Sequence, residues 1–184
     1  WTTDVPSTGF VKYGKSLTTI TEVASDEVKD TNSQKSYVHH VNLVSNLNST
    51  IYFKINSNST EYDNSGIAWQ SSLNNQMISG QTSLIASGMV LNVDGLTPSK
   101  AIVYLTINGT LISGPTSDEG TFVIPISKYL TNLDENAVVE ISVIDGQQQT
   151  SQAVIYEKFL KSIPTIILGK TYDFRSLSQN SNDA

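Results

Sequence analysis

Two adjacent residues, His39 and His40, are the only histidines in the chain. An imidazole pair can hold a transition metal or move protons near neutral pH. This pair lies in the apolar-rich run 37–44, which has strand character, and neighbours on a strand point to opposite faces. The two rings therefore cannot chelate one ion together. One is expected against the core or a sheet neighbour and the other in solvent. Asp118-Glu119 and Asp134-Glu135 could offer oxygen ligands to calcium, but neither has the D-x-[DN]-x-[DN]-G spacing that brings several oxygens to one point. They read as solvated turn carboxylates, and nothing in the sequence supports a catalytic carboxylate pair. The absence of cysteine removes disulfides, thiolate metal sites and cysteine nucleophiles. No catalytic residue, metal ligand or cofactor is assigned, and no enzymatic activity is expected.

Other residue types suggest recognition. Trp69, Tyr62 and Tyr104 could form a stacking platform for a glycan, although Trp69 on a last-strand pattern also suits the core or a domain junction. Asn48, Asn58 and Asn108 each begin an N-x-S/T sequon in an expected turn. Lysine and asparagine side chains could join in an internal isopeptide bond, but the third carboxyl group such a bond needs cannot be placed from sequence.

Charged residues make up only 15% of the 184, against about 25% in an average soluble protein. Ser, Thr and Asn take their place, as in many secreted and cell-surface β proteins. The net charge is −6, and the 11 Lys and Arg are scattered singly. Nucleic acid is therefore not an expected partner, because phosphate neutralisation needs clustered positive charge. No apolar run approaches the roughly 18 residues of a membrane span, and none has the pattern of a signal peptide.

Strand signals dominate the elements that must carry these residues. Runs 9–13, 16–23, 37–44, 51–55 and 66–70 alternate apolar and polar residues or are dense in β-branched ones. Tyr13-Gly14 and the polar runs 30–35, 46–50 and 56–66 separate them. The stretch 73–82 reads as a linker. Beyond it, runs 83–93, 101–107, 111–112, 121–126, 137–144 and 150–156 repeat the style, and Asn108-Gly109 is the strongest hairpin signal. Residues 127–133 read as a helical turn or a loop. The expected architecture is all-β, with two tandem antiparallel sandwiches of immunoglobulin or fibronectin kind over 1–72 and 83–160. A strand-like extension and polar tail follow over 161–184.

Two family resemblances rest on these segments. Trp1-Thr2-Thr3, the run from Pro6 to Gly14, and Tyr37 to Leu43 resemble a fibronectin type III domain, in the variant at the N-terminus of purple acid phosphatases. The resemblance implies that Trp1 and Leu47 sit in the core and that Tyr52 is a tyrosine-corner residue bonding backbone upstream. It also implies an A strand and most of a B strand ahead of Trp1, so the first sandwich is expected to be incomplete. Gly88 to Leu91, Asp94-Gly95, Ala101 to Leu105 and Thr116 to Ile124 resemble the carboxypeptidase regulatory-like, transthyretin-like fold.

Both families are scaffolds found in bacterial surface proteins, and they imply a structural or binding role. The expected function is a structural, non-enzymatic component of an extracellular surface. Its partner would be a second copy joined head to tail, or a neighbouring surface protein. The subunits of such a filament or layer would be joined by strand complementation. Ile163, Ile166, Leu168, Tyr172 and Phe174, in the spare strand-like segment, are the expected subunit contacts. The alternative is an adhesin stalk or carbohydrate-binding accessory module of a larger secreted protein.

Overall fold

The computed structural model describes residues 1–28, 35–43, 50–72, 84–128, 130 and 133–177. The fold is all-β, of the β-sandwich class, built mainly of antiparallel pairs, with two short parallel contacts among the described residues. Two compact units divide the chain. The first is Trp1–Gln81 with Asp145–Gln148, and the second is Thr82–Ile144 with Gln149–Ala184.

In the first unit, β1 (Thr2–Ser7) pairs with β4 (Ser36–Val38) as a two-stranded sheet. A larger sheet has the order β3 (Glu22–Ser25), β2 (Gly9–Gly14), β5 (Thr50–Ser57), β6 (Thr60–Tyr62), with β7 (Trp69–Ser72) also on β5. The register Val11↔Ile55, Tyr13↔Phe53, Ile55↔Tyr62 and Phe53↔Trp69 puts these residues on one face. Val11 and Ile51 on that face are buried, Phe53, Ile55 and Trp69 are half-buried, and Tyr62 is 52% exposed. A sheet of two short strands is too narrow to cover it all.

Local chemistry shortens some expected strands. Run 16–23 becomes a turn followed by β3, because Ser16 Oγ bonds the Thr18 and Thr19 hydroxyls (3.1 and 2.7 Å) and Thr19 N–H donates to Ser16 O (3.1 Å). Such local bonds compete with a ladder. Gly14 lets that turn close, since a Cβ there would lie 1.8 Å from Thr19 O. Run 56–66, expected as a connection, contains the β5–β6 hairpin, with Asn58 and Ser59 at φ 46° and 67°.

The second unit faces the sheet β10 (Thr110–Pro115), β9 (Ala101–Ile107), β12 (Val138–Asp145), β13 (Thr150–Tyr156), β15 (Thr171–Asp173) with the sheet β11 (Thr121–Pro125), β8 (Ile85–Leu91), β14 (Ile166–Ile167). Short 3-10 turns cover Ile126–Lys128 and Glu157–Ser162. Alternation along β12 buries Val139, Ile141 and Val143, which join Val90, Leu105, Ile107, Phe122, Ile124, Ile155 and Leu160 in one apolar cluster. Each such side chain contributes roughly 1.5–3 kcal/mol when fully buried. Asn108 (φ 49°) and Gly109 (φ 77°) form the β9–β10 turn that the dipeptide predicts.

Candidate functional site

The first unit has a polar centre. His39 follows β4 directly and is 1% exposed, Asp26 follows β3, and Ser7 ends β1. The His39 Nδ1 lies 2.6 Å from Asp26 Oδ2, and its Nε2 lies 2.8 Å from Ser7 Oγ. Ser57 Oγ donates to Ser7 Oγ (2.8 Å). That bond turns Ser7's own proton toward Nε2, so the network assigns His39 the Nδ1–H tautomer donating to Asp26. Asp26 Oδ1 accepts the backbone N–H of Val28 and of His40, both at 3.0 Å. Trp1 stacks on the imidazole, with centroids 4.7 Å apart and planes 14° from parallel, while its carbonyl accepts His39 N–H (2.8 Å). Gly9 makes room, since a Cβ there would come within 2.7 Å of Trp1 and 2.8 Å of His39. His40 turns the other way, its Nδ1 3.4 Å from Glu27 Oε2.

Carboxylate, imidazole and hydroxyl in this order are the parts of a hydrolytic relay. A nucleophile also needs room for a carbonyl and donors for its oxyanion. Ser7 is 1% exposed, its oxygen already takes the Ser57 proton, and the following N–H, of Thr8, donates to Asn58 Oδ1 (3.3 Å). The arrangement ties β1, the segment after β3, the end of β4 and β5 together. Buried polar groups so fully bonded fix one arrangement of the strands.

On the outer face of the larger sheet, Glu61 lies between two lysines that face each other across β2 and β5. Its carboxylate reaches Lys54 Nζ (2.8 Å) and Lys12 Nζ (3.3 Å), and Asp63 reaches Lys54 Nζ at 3.3 Å. Hydrogen bonds from Lys54 and Lys12 hold Glu61 below the usual carboxylate range, and those to Glu61 and Asp63 hold Lys54 above its own. Among the described residues, no three His, Asp or Glu side chains cluster as a metal site would require.

The residues singled out in the sequence are distributed widely. Trp69 is half-buried against Phe53, with centroids 5.7 Å apart. Tyr62 is on the same face, whereas Tyr104 belongs to the other unit. Tyr52 lies within β5, and among the described residues its hydroxyl bonds no backbone. Tyr172 pins backbone, its hydroxyl accepting Ile167 N–H (2.9 Å) and donating to Ile167 O (3.4 Å). Leu47 and Asn48 lie outside the described residues. Asn58 and Asn108 both occupy left-handed turn positions.

The segment read as a spare strand is used within its own chain. Ile163, Ile166 and Leu168 are buried in the second unit's core, with Tyr172 and Phe174 packed against it. β14 runs parallel to β8, and β15 parallel to β13. The segment contains two short strands, Ile166–Ile167 and Thr171–Asp173, rather than one continuous strand. Which edge it pairs with depends on distant residues and is invisible locally. Nor does any local spacing mark Ser7, Asp26 and His39 as partners, since 32 residues separate the first from the last.

Compared with known proteins, the chain matches no family model and no curated sequence. Among the described residues, no helix is long and apolar enough to cross a membrane.

Proposed function

We propose that this chain is a non-enzymatic structural component of a cell surface, a subunit of an extracellular filament or layer whose first unit is completed by a strand from another chain. One observation carries the reading. Among the described residues, the smaller sheet of the first unit has two strands, and Phe53, Ile55, Trp69 and Tyr62 are incompletely covered. An added strand would bury that strip and satisfy an open sheet edge at once. The resemblance to surface-protein modules and the low charge support the same reading. The segment 163–174 is engaged in the second unit and is not the donor.

Phe53→Glu tests the idea, because a carboxylate on that strip opposes burial by any incoming strand. In light scattering and sedimentation, the variant should lose assembly that the parent chain shows. Undiminished assembly of a folded Phe53→Glu chain would sink strand completion at this face. A soluble glycan whose binding disappears in Trp69→Ala would instead favour the accessory-module reading.

A further inference from the structure

Three edge strands in the described structure exceed four residues, namely β1, β10 and β11. They differ in how they are guarded. Natural edges carry charge, proline or irregular register to stop unintended pairing. β1 has Asp4, Pro6 and a register shift. β10 is less guarded. It carries no charge and pairs with β9 without a shift, and its only proline ends it. From Ile107 to Ser117 there is no charged residue at all.

The phase of the ladder shows what this edge offers. Thr116 N–H donates to Ala101 O (3.0 Å) in the same register as β10 with β9. Hydrogen-bonded pairs alternate along an antiparallel ladder. Gly114↔Val103, Ile112↔Leu105 and Thr110↔Ile107 are therefore the bonded pairs. Leu111 and Ser113 direct both N–H and C=O away from β9, and among the described residues no strand takes them. Leu111 is also 63% exposed, beside a buried Ile112. β11 offers less. Its Thr121 carbonyl accepts Ser117 N–H (2.7 Å) and Pro125 has no N–H, so only Val123 presents a complete outward pair.

We infer that β10 is a self-association edge, pairing antiparallel with β10 of a second copy of this chain. The pattern of free groups fits its own two-fold image. With the axis at Ile112, Leu111 faces Ser113 of the second copy and Ser113 faces its Leu111. Two N–H and two C=O groups from each copy then make four bonds. Ile112 meets its counterpart on the inner face, where both sheets already place apolar side chains. A chain of net charge −6 repels its copies, and an uncharged edge is where that repulsion is least concentrated. The inference concerns the second unit alone and stands independently of strand completion in the first.

Amide hydrogen exchange on the full chain, followed against concentration, tests it together with sedimentation. The Leu111 and Ser113 amides should be unprotected in dilute solution and become protected as the mass doubles. Ile112 and Gly114, bonded to β9, should be protected throughout and report an intact hairpin. Leu111→Lys should abolish both the doubling and the concentration-dependent protection, while Ile112 and Gly114 stay protected. A monomer at every concentration with Leu111 and Ser113 always unprotected would overturn the inference. So would concentration-dependent protection of the Ser113 amide that survives Leu111→Lys. Loss of assembly in Phe53→Glu with β10 pairing intact, or the reverse, separates the two interfaces.

Discussion

The two units solve the same packing problem with different chemistry. The second is held by a continuous apolar cluster from Ala86 to Leu168, fed by strands that alternate cleanly. Among the described residues, the first has a short apolar list, Val11, Tyr13, Val38, Ile51 and Ala68, around a bonded centre of Ser7, Asp26, His39 and Ser57. An apolar core contributes stability in proportion to the area it hides and tolerates repacking. A polar centre contributes little net stability but strongly disfavours every arrangement that leaves a group unpaired. The described part of this unit has a two-stranded sheet and little apolar area to bury, and its strand positions are fixed by direction-dependent bonds instead.

The comparison can be broken most forcefully at its two centres. His39→Ala removes the partner of a buried carboxylate, and breaking such a pair costs about 3–5 kcal/mol. Both tryptophans, Trp1 and Trp69, belong to the first unit. Their fluorescence should therefore report its early melting while circular dichroism still shows the second unit's strands. Leu105→Ala should do the reverse, at about 2–5 kcal/mol, lowering the dichroism transition while leaving the tryptophan signal in place. If the two substitutions move both signals equally, the contrast between the centres is wrong. A smaller effect belongs to Tyr172→Phe. Loss of the hydroxyl deprives Ile167 N–H of its acceptor, and denaturant unfolding should show a loss of about 1 kcal/mol.

The smallest effect sharpens the electrostatics of the second unit. Burial, followed by Glu135 and Asp134 nearby, raises Glu157 above the usual carboxylate range, and Lys161 only partly opposes this. A carboxyl raised on folding favours the folded state at low pH, and that contribution is lost as pH rises through the folded pKa. Glu157→Gln should therefore stabilise the second unit slightly at neutral pH, by less than about 1 kcal/mol, and leave it unimproved in acid. A loss of stability at neutral pH would reverse the assignment.

Much of the second unit was legible in the sequence for a physical reason. Its stabilising contacts follow period-two patterns within single strands, as in β12, and its tightest turn uses the dipeptide that left-handed geometry demands. Gly120 is similar. At φ 74°, with a would-be Cβ 2.4 Å from Val90 O, the position has room only for glycine, and the Thr-Ser-Asp-Glu-Gly run marks it. The first unit's centre was not legible, because its pairs join residues far apart in sequence. Strand alternation places one of His39 and His40 against the core without saying which, and nothing near either names Asp26 or Ser7. Hydroxyl turns such as Ser16 to Thr19 misled the strand pattern, since Thr-rich runs have strand composition whether or not their side chains capture the backbone. The 163–174 segment has strand composition, but the parallel pairing of its two short strands with β8 and β13 is a property of the assembled sheets.

The central claim, an incomplete sandwich completed by another chain, is most directly tested by electron microscopy of the purified native material. Regular fibres or sheets, lost in the folded Phe53→Glu chain, are the predicted result. Monodisperse single particles of one chain's size, unchanged by that substitution, would contradict it.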